Sequence, residues 1–399
     1  MHSLSPHARP AVEALRASKI REVANAGIGR DDIAAFWFGE PDEVTPEFIR
    51  QAAIDALAAG DTFYTHNLGI PELREAIAAY VTRLHRPASA DHIAVTNSGM
   101  SALMITAQAI AGPGDHVVAV TPLWPNLVEI PKILGARVTT VALRFAPSGW
   151  TLDVDRLLDA LAPGTRALFI NSPNNPTGWT IERDAQRAIL DHCRRSGIWI
   201  VADDAYERLY FDGTCAGTTT PVAPSFLDLA DDEERVVSTN TFSKSWLMTG
   251  FRLGWIVAPR ALARDLPKLI EYNTSCAPPF VQRAGLAAVT HGEPVVAHTV
   301  SRLRQARDYL VDELARTPGV QIATPAGAMY AFFRVEGVTD SLALCKRMVA
   351  QFGLGLAPGI AFGPEGEGFV RWCFAAAHER LADGVERLRR ALEPQAAHR

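Results

Sequence analysis

Short apolar runs alternate with helix-patterned stretches through the middle of this chain. Residues 92–96, 116–120, 136–141, 167–170, 199–202, 235–238 and 255–258 are predicted strands. Two of them, ALFI at 167–170 and WIVA at 199–202, are apolar at every position, as a strand covered on both faces should be. Between the strands, residues 100–111, 127–134 and 181–196 carry helical spacing, and Gly197 supplies a stop for the last of them. This repetition predicts an α/β fold. Its large domain has three layers, with a mainly parallel sheet of seven strands between helices on both faces.

The pattern changes towards the C-terminus. Residues 295–316 form one long helical stretch, and 329–335 alternate like an antiparallel strand. Residues 377–392 predict an amphipathic helix with Leu381, Val385, Leu388 and Leu392 on one stripe. The expected division is a large domain over 46–290 and a smaller α+β domain over 291–399, joined by the N-terminal residues 1–45. No internal repeat or low-complexity linker interrupts it.

Composition narrows the setting. The formal net charge is −5 and no long basic run appears, which argues against a nucleic-acid surface. The opening residues lack an apolar stretch followed by a small-residue cleavage site, so no secretory signal is expected. No uninterrupted apolar stretch approaches the roughly 18 residues of a membrane span. Cys193, Cys215, Cys276, Cys345 and Cys373 are scattered and form no CxxC pair, so buried packing thiols in a reduced, cytoplasmic chain are expected. Motifs for dinucleotides (GxGxxG after a strand), nucleotide phosphates (GxxxxGK[ST]), zinc (HExxH) and a nucleophile elbow (GxSxG) do not occur.

The candidate chemistry sits where predicted strands end, which is where open α/β sheets bind ligands. One strand runs into Asn97-Ser98-Gly99-Met100 at the start of a helix, whose free amides suit an anion. Another runs into NSPNNPTG at 171–178, and a third into Asp203-Asp204-Ala205-Tyr206. A fourth runs into TNTFSKSWLMTGFRLGW at 239–255. Polar loops after strands are common singly. Four in one sheet predict a shared pocket for an anionic ligand, with a lysine and a carboxylate inside it.

These motifs, spanning nearly the whole chain from Phe38-Gly39-Glu40-Pro41-Asp42 to Arg371, resemble the pyridoxal phosphate (PLP)-dependent aminotransferases of fold type I. That is the class I and II group that includes aspartate aminotransferase. NNPTG and SKSWLMTGFRLGW are the most specific pieces. The resemblance implies that Lys244 is the catalytic lysine, holding PLP as a Schiff base and later moving a proton at the substrate. Asp203 would pair with the pyridine nitrogen, with the neighbouring Asp204 capping the turn. Asn175 and Tyr206 would donate hydrogen bonds to the cofactor's phenolic oxygen, although Asn175 also fits plain turn chemistry in Asn-Pro-Thr-Gly.

Ser98, Gly99 and Met100 resemble a phosphate loop. Many relatives carry a hydroxyl at the position of Met100, so here only its amide could serve. Thr241, Ser243 and Arg252 resemble the other phosphate ligands. Trp124 resembles the aromatic residue stacked on the ring, where many relatives have Tyr or Phe. Tyr64 resembles a phosphate ligand supplied by the second subunit of a homodimer, although it could equally pack within its own chain. Gly39 and Arg371 resemble the contacts to the substrate carboxylate, with Asn175 beside them.

Phe36, Trp37, Tyr330 and Phe362 are candidates, by position, for an apolar wall around the substrate side chain. The partners implied are an amino acid and a 2-oxo acid, in a ping-pong exchange. Two rivals share these motifs. One is a PLP-dependent lyase or synthase of the β-elimination or aminocyclopropane-carboxylate type. The other is a DNA-binding regulator carrying an aminotransferase-like domain, which the N-terminal residues are not basic enough to favour.

Overall fold

The structure is a computed structural model that describes residues 7–213 and 218–393. Its main sheet contains β1 (Ile93–Thr96), β2 (His116–Thr121), β3 (Arg137–Ala142), β4 (Thr165–Asn171), β5 (Trp199–Asp203), β6 (Val236–Thr241) and β7 (Gly254–Val257). They lie in the order β1-β7-β6-β5-β4-β2-β3. β7 runs antiparallel to both its neighbours, and the pairings from β6 across to β3 are parallel.

Helices cover both faces, and the strands show it residue by residue. Along β4, Leu168 and Ile170 enter one apolar cluster while Ala167 and Phe169 enter another. Alternate side chains leave a strand on opposite faces, so an all-apolar strand needs two cores. Helix α1 (Gly99–Ile110) follows β1, and α2 (Arg183–Ser196) follows β4. α2 buries Ile189, Leu190 and Cys193 and ends at Gly197, whose φ of 65° is the left-handed cap expected of it.

β6 is longer than its apolar run. Thr239, Asn240 and Thr241 read as loop, yet they pair with β7 and Thr239 also pairs with β5. Their polarity is tolerated because the hydroxyls have acceptors: Thr239 Oγ1 donates to Ala202 O at 3.3 Å and Thr241 Oγ1 to Leu253 O at 3.2 Å.

The C-terminal elements are α3 (Glu293–Ala315), β8 (Val320–Ile322), β9 (Tyr330–Val335), β10 (Ala357–Pro358), β11 (Phe369–Cys373) and α4 (His378–Leu392). The four strands form an antiparallel sheet in the order β8-β9-β11-β10. α4 buries Leu381, Val385 and Leu388, with Leu392 at the margin of the core. N-terminal residues reach this region: Ala34–Ala35 pairs in parallel with Leu354–Gly355, and Phe36 O accepts from Cys373 N at 3.1 Å. Cys193, Cys276, Cys345 and Cys373 are free and buried, as expected of packing thiols, and Cys215 lies outside the described residues. Among the described residues no helix is long and apolar enough to cross a membrane.

Candidate active site

The ends of β1, β4, β5 and β6 meet the start of β7 at one edge of the sheet. There they enclose a cavity of about 230 Å³. Gly39, Gly99, Met100, Trp124, Asn175, Asp203, Tyr206, Thr241, Ser243, Lys244, Arg252 and Arg371 all line it. Ser98 lies just behind, buried, with its Oγ accepting from Ser101 N at 3.1 Å to cap α1. Tyr64 is elsewhere, 89% exposed on the surface.

The helix that carries Lys244, Phe242–Ser245, starts at Thr241, whose Oγ1 accepts from Ser243 N at 3.1 Å. The Thr241 hydroxyl is therefore engaged with its own chain. Lys244 Nζ reaches the cavity and donates to Gly39 O at 2.5 Å. Burial, reinforced by the positive charges of Arg371 and Arg252, lowers the ammonium to about 8, so roughly a tenth of the amine is neutral near pH 7, far more than for a free lysine. Gly254, at the start of β7, makes the close approach of the Ser98–Gly99 turn possible. A Cβ there would lie 2.5 Å from Gly99 N and 2.6 Å from Ser98 C, driving α1 away from the sheet.

Among the described residues, three charged groups around the cavity have no counter-ion at salt-bridge distance. Asp203 is 5% exposed and accepts only from Ala205 N, at 3.3 Å. Burial pushes its carboxyl up to about 7, and Lys244 only partly opposes this. Arg371 is 2% exposed, donating to Asn175 Oδ1 at 3.0 Å and to Trp37 O. Its guanidinium lies against the rings of Tyr330 and Phe362, with centroids 4.5 and 4.9 Å away, and its buried Nε has no partner. Arg252, with φ at 52°, meets only Thr249 O at 2.9 Å and Ser243 Oγ at 3.5 Å. Buried charge is costly unless paired. Asp203 and Arg371, both buried, therefore ask the ligand for a cation and an anion respectively, while Arg252 lines the cavity from an exposed position, open to a second anion.

Residues 35–388 match the family model for aminotransferase class I and II. The chain belongs to that family. It is 31% identical to an aspartate aminotransferase of Pyrococcus horikoshii, over 95% of each chain. It is 30% identical to aromatic-amino-acid aminotransferase 2 of Thermococcus litoralis, over 96% of this chain and 97% of that one. A solved structure of a Thermus thermophilus aspartate aminotransferase mutant superposes with a TM-score of 0.89 at 30% identity, covering 97% of this chain and 100% of the other. The chain is thus an aminotransferase, and pyridoxal phosphate is the cofactor of its family. PLP carries a protonatable ring nitrogen and a phosphate, and an amino acid brings a carboxylate. These are the charges the three unpaired groups lack.

Several features of the aminotransferase site were not legible as motifs. Asn171 ties two strand ends together: its Nδ2 donates to Asp203 O at 2.8 Å and its Oδ1 accepts from Asn175 N at 2.7 Å. Its place at the head of NSPNNPTG was the available signal. Asp204 does not cap a turn. It is buried and accepts from Ser238 Oγ at 2.6 Å and Ser225 Oγ at 3.1 Å, joining β6 to a distant loop. Of the candidate apolar wall, Trp37 and Tyr330 line the cavity. Phe36 packs on Trp372, with centroids 4.8 Å apart, and Phe362 lies beside Arg371.

Proposed function

We propose that this aminotransferase is a cytoplasmic homodimer that moves an α-amino group to a 2-oxo acid by a ping-pong mechanism, with Lys244 as its catalytic residue. PLP, when bound, supplies an electron sink and carries the amino group between the two half-reactions. The observation that carries this reading is the charge pattern of the cavity: an amine with a lowered pKa between a carboxylate and two arginines that lack counter-ions.

The chain's own residues divide the work. Lys244 attaches the cofactor and, once released, holds and delivers the proton at the substrate Cα. Asp203 keeps the ring nitrogen charged. Asn175 has its Oδ1 committed to Arg371, which leaves its Nδ2 hydrogens for the phenolic oxygen beside Tyr206. Arg252, Ser243 and the amides of Ser98, Gly99 and Met100 at the start of α1 hold the phosphate, with Thr241 orienting Ser243 and Trp124 against the ring. Arg371, whose side chain lines the cavity with Gly39, pairs with the substrate carboxylate.

Tyr64, beside the equally exposed Phe63, reaches the site of the second subunit, which their open position on this chain supports. Residues up to about 45 and 291–399 form a smaller domain over the large one at 46–290, which the pairing of Ala34–Ala35 with Leu354–Gly355 supports. Free, buried cysteines support a reducing compartment.

Mixing the loaded enzyme with an amino acid should convert the bound cofactor to its amine form, followed by absorbance, and a 2-oxo acid should reverse it. A lyase on this scaffold would return to its starting spectrum without an acceptor. Lys244→Ala should lose both the visible band and turnover. Multiple turnovers by that variant would end the mechanism.

A further inference from the structure

Tyr330 stands at the centre of the proposed site, yet no family motif singled it out. It opens β9, directly opposite Cys373 on β11, the strand that also carries Arg371. It is almost fully buried. Its hydroxyl lies 2.7 Å from that of Tyr206, with the two rings nearly perpendicular at 78°. The face of its ring lies 4.5 Å from the Arg371 guanidinium carbon. A Cβ on Gly39 would overlap its hydroxyl, and Gly39 O is the acceptor for Lys244. One side chain thus touches three groups assigned to the cofactor and the substrate carboxylate, and approaches Lys244 through Gly39.

The hydrogen count decides how the pair of phenols is arranged. Each has one hydrogen and can accept two. Burial holds both above their ordinary range, Tyr330 at about 12, so both keep their hydrogens at neutral pH. If Tyr206 gave its hydrogen to Tyr330, Tyr206 would have none left for the cofactor's phenolic oxygen, the role proposed for it above, and only the Tyr330 hydrogen would be free. If Tyr330 gives its hydrogen to Tyr206, the Tyr206 hydrogen is free to point inward. A hydroxyl that accepts one hydrogen bond also donates a stronger one.

We propose that Tyr330 is a positioning residue for this reaction: its hydroxyl donates to Tyr206 Oη and so aims the Tyr206 hydrogen at the cofactor's phenolic oxygen, while its ring supports Arg371. The inference rests on the PLP site proposed above. Stronger donation from Tyr206 stabilises negative charge on the phenolic oxygen. That eases loss of the proton from the nitrogen linking Lys244 to the cofactor. The Tyr330 hydroxyl therefore lowers the pH at which the visible band of the loaded enzyme changes form.

The test is a spectroscopic pH titration of the holoenzyme, which needs no turnover. Tyr330→Phe removes one oxygen and keeps the ring. Its midpoint should rise by roughly half a pH unit, the scale of part of one hydrogen bond. Tyr330→Leu should shift the midpoint similarly and also raise the KM for amino acids several-fold, because Arg371 loses its ring support. Tyr330→Phe should raise KM less. In a Tyr206→Phe background, Tyr330→Phe should move the midpoint no further, since the group it acts through is gone. An unmoved midpoint in Tyr330→Phe, or an equal shift with Tyr206 already removed, would overturn the proposal. The underlying PLP site fails differently: the unmodified protein would then show no lysine-dependent visible band to titrate.

Discussion

Replacing Asp203 by asparagine turns the charge argument into a stability measurement. Asp203 is buried, accepts one backbone hydrogen bond and faces no cation at hydrogen-bonding distance. Burial raises its carboxyl from an ordinary 3.8 to about 7. A carboxyl whose pKa is raised by folding binds its proton more tightly when folded, so ionisation favours the unfolded chain. The penalty is absent well below the lower value, grows as pH climbs between the two, and is constant above the upper one. A rise of about three pH units, at about 1.36 kcal/mol each, sets its full size at roughly 4 kcal/mol. Asparagine still accepts from Ala205 N and carries no charge.

With the cofactor removed, Asp203→Asn should therefore be more stable than the parent in urea unfolding. The gain should approach ~4 kcal/mol near pH 8.5 and fall to about half that near pH 5.5. With cofactor present the order should reverse, because the ring nitrogen supplies the missing cation only to the aspartate. No stability gain in cofactor-free Asp203→Asn near pH 8.5, or a gain that does not grow with pH, would refute the claim that the fold leaves this charge for the ligand to neutralise.

Two further outcomes follow from contacts around the site. Gly39→Ala should reduce kcat/KM on the order of 10²-fold, because the new methyl collides with Tyr330 and displaces the carbonyl that holds Lys244, checked by steady-state kinetics. His85 lies buried between Asp228 at 2.7 Å and Glu207 at 3.0 Å, and its imidazolium is raised to about 10: burial opposes the charge, but hydrogen bonds to the two carboxylates outweigh it. Its contribution should be complete below about 6.5 and fade as pH rises through about 10, so His85→Leu should cost about 3–5 kcal/mol near neutral pH and progressively less in strong alkali, as read by thermal or denaturant unfolding.

How much was legible depended on how far each interaction reaches along the chain. Lys244, Asp203 and Asn175 could be placed because a strand end and a few adjacent residues mark each of them. β4 and β5 could be placed because an all-apolar run admits few other readings. The direction of β7 could not, since GWIV is equally apolar either way and only its pairing with Thr96 and Thr241 fixes the sense. The last residues of β6 were hidden because Thr239 and Thr241 look like loop until their carbonyl acceptors are known. The bonding partners of Tyr330 and Asp204 were hidden for the same kind of reason. Tyr330 meets Tyr206 across 124 positions, and Asp204 meets serines 21 and 34 positions away.

The stretch from Asp203 to Arg208 shows why the site is both rigid and receptive. Asp204, Glu207 and Arg208 turn into the protein, and each finds partners there. Asp204 has two serine hydroxyls, Glu207 has His85, and Arg208 has Tyr80 at 3.1 Å and Glu293 at 2.5 Å. Asp203, just before them in sequence, and Tyr206, among them, line the cavity, and Asp203 finds no cation at hydrogen-bonding distance among the described residues. The two sets are made of similar residues and differ in what the fold provides. Paired charges fix the segment against the strand ends, and a segment so fixed can hold an unpaired charge in place until a ligand arrives, because reorganising around that charge would mean breaking the anchored set. The residues that specify the ligand are therefore those whose charge or hydrogen the chain leaves unmet, and the residues that make the specification sharp are their immediate neighbours in sequence.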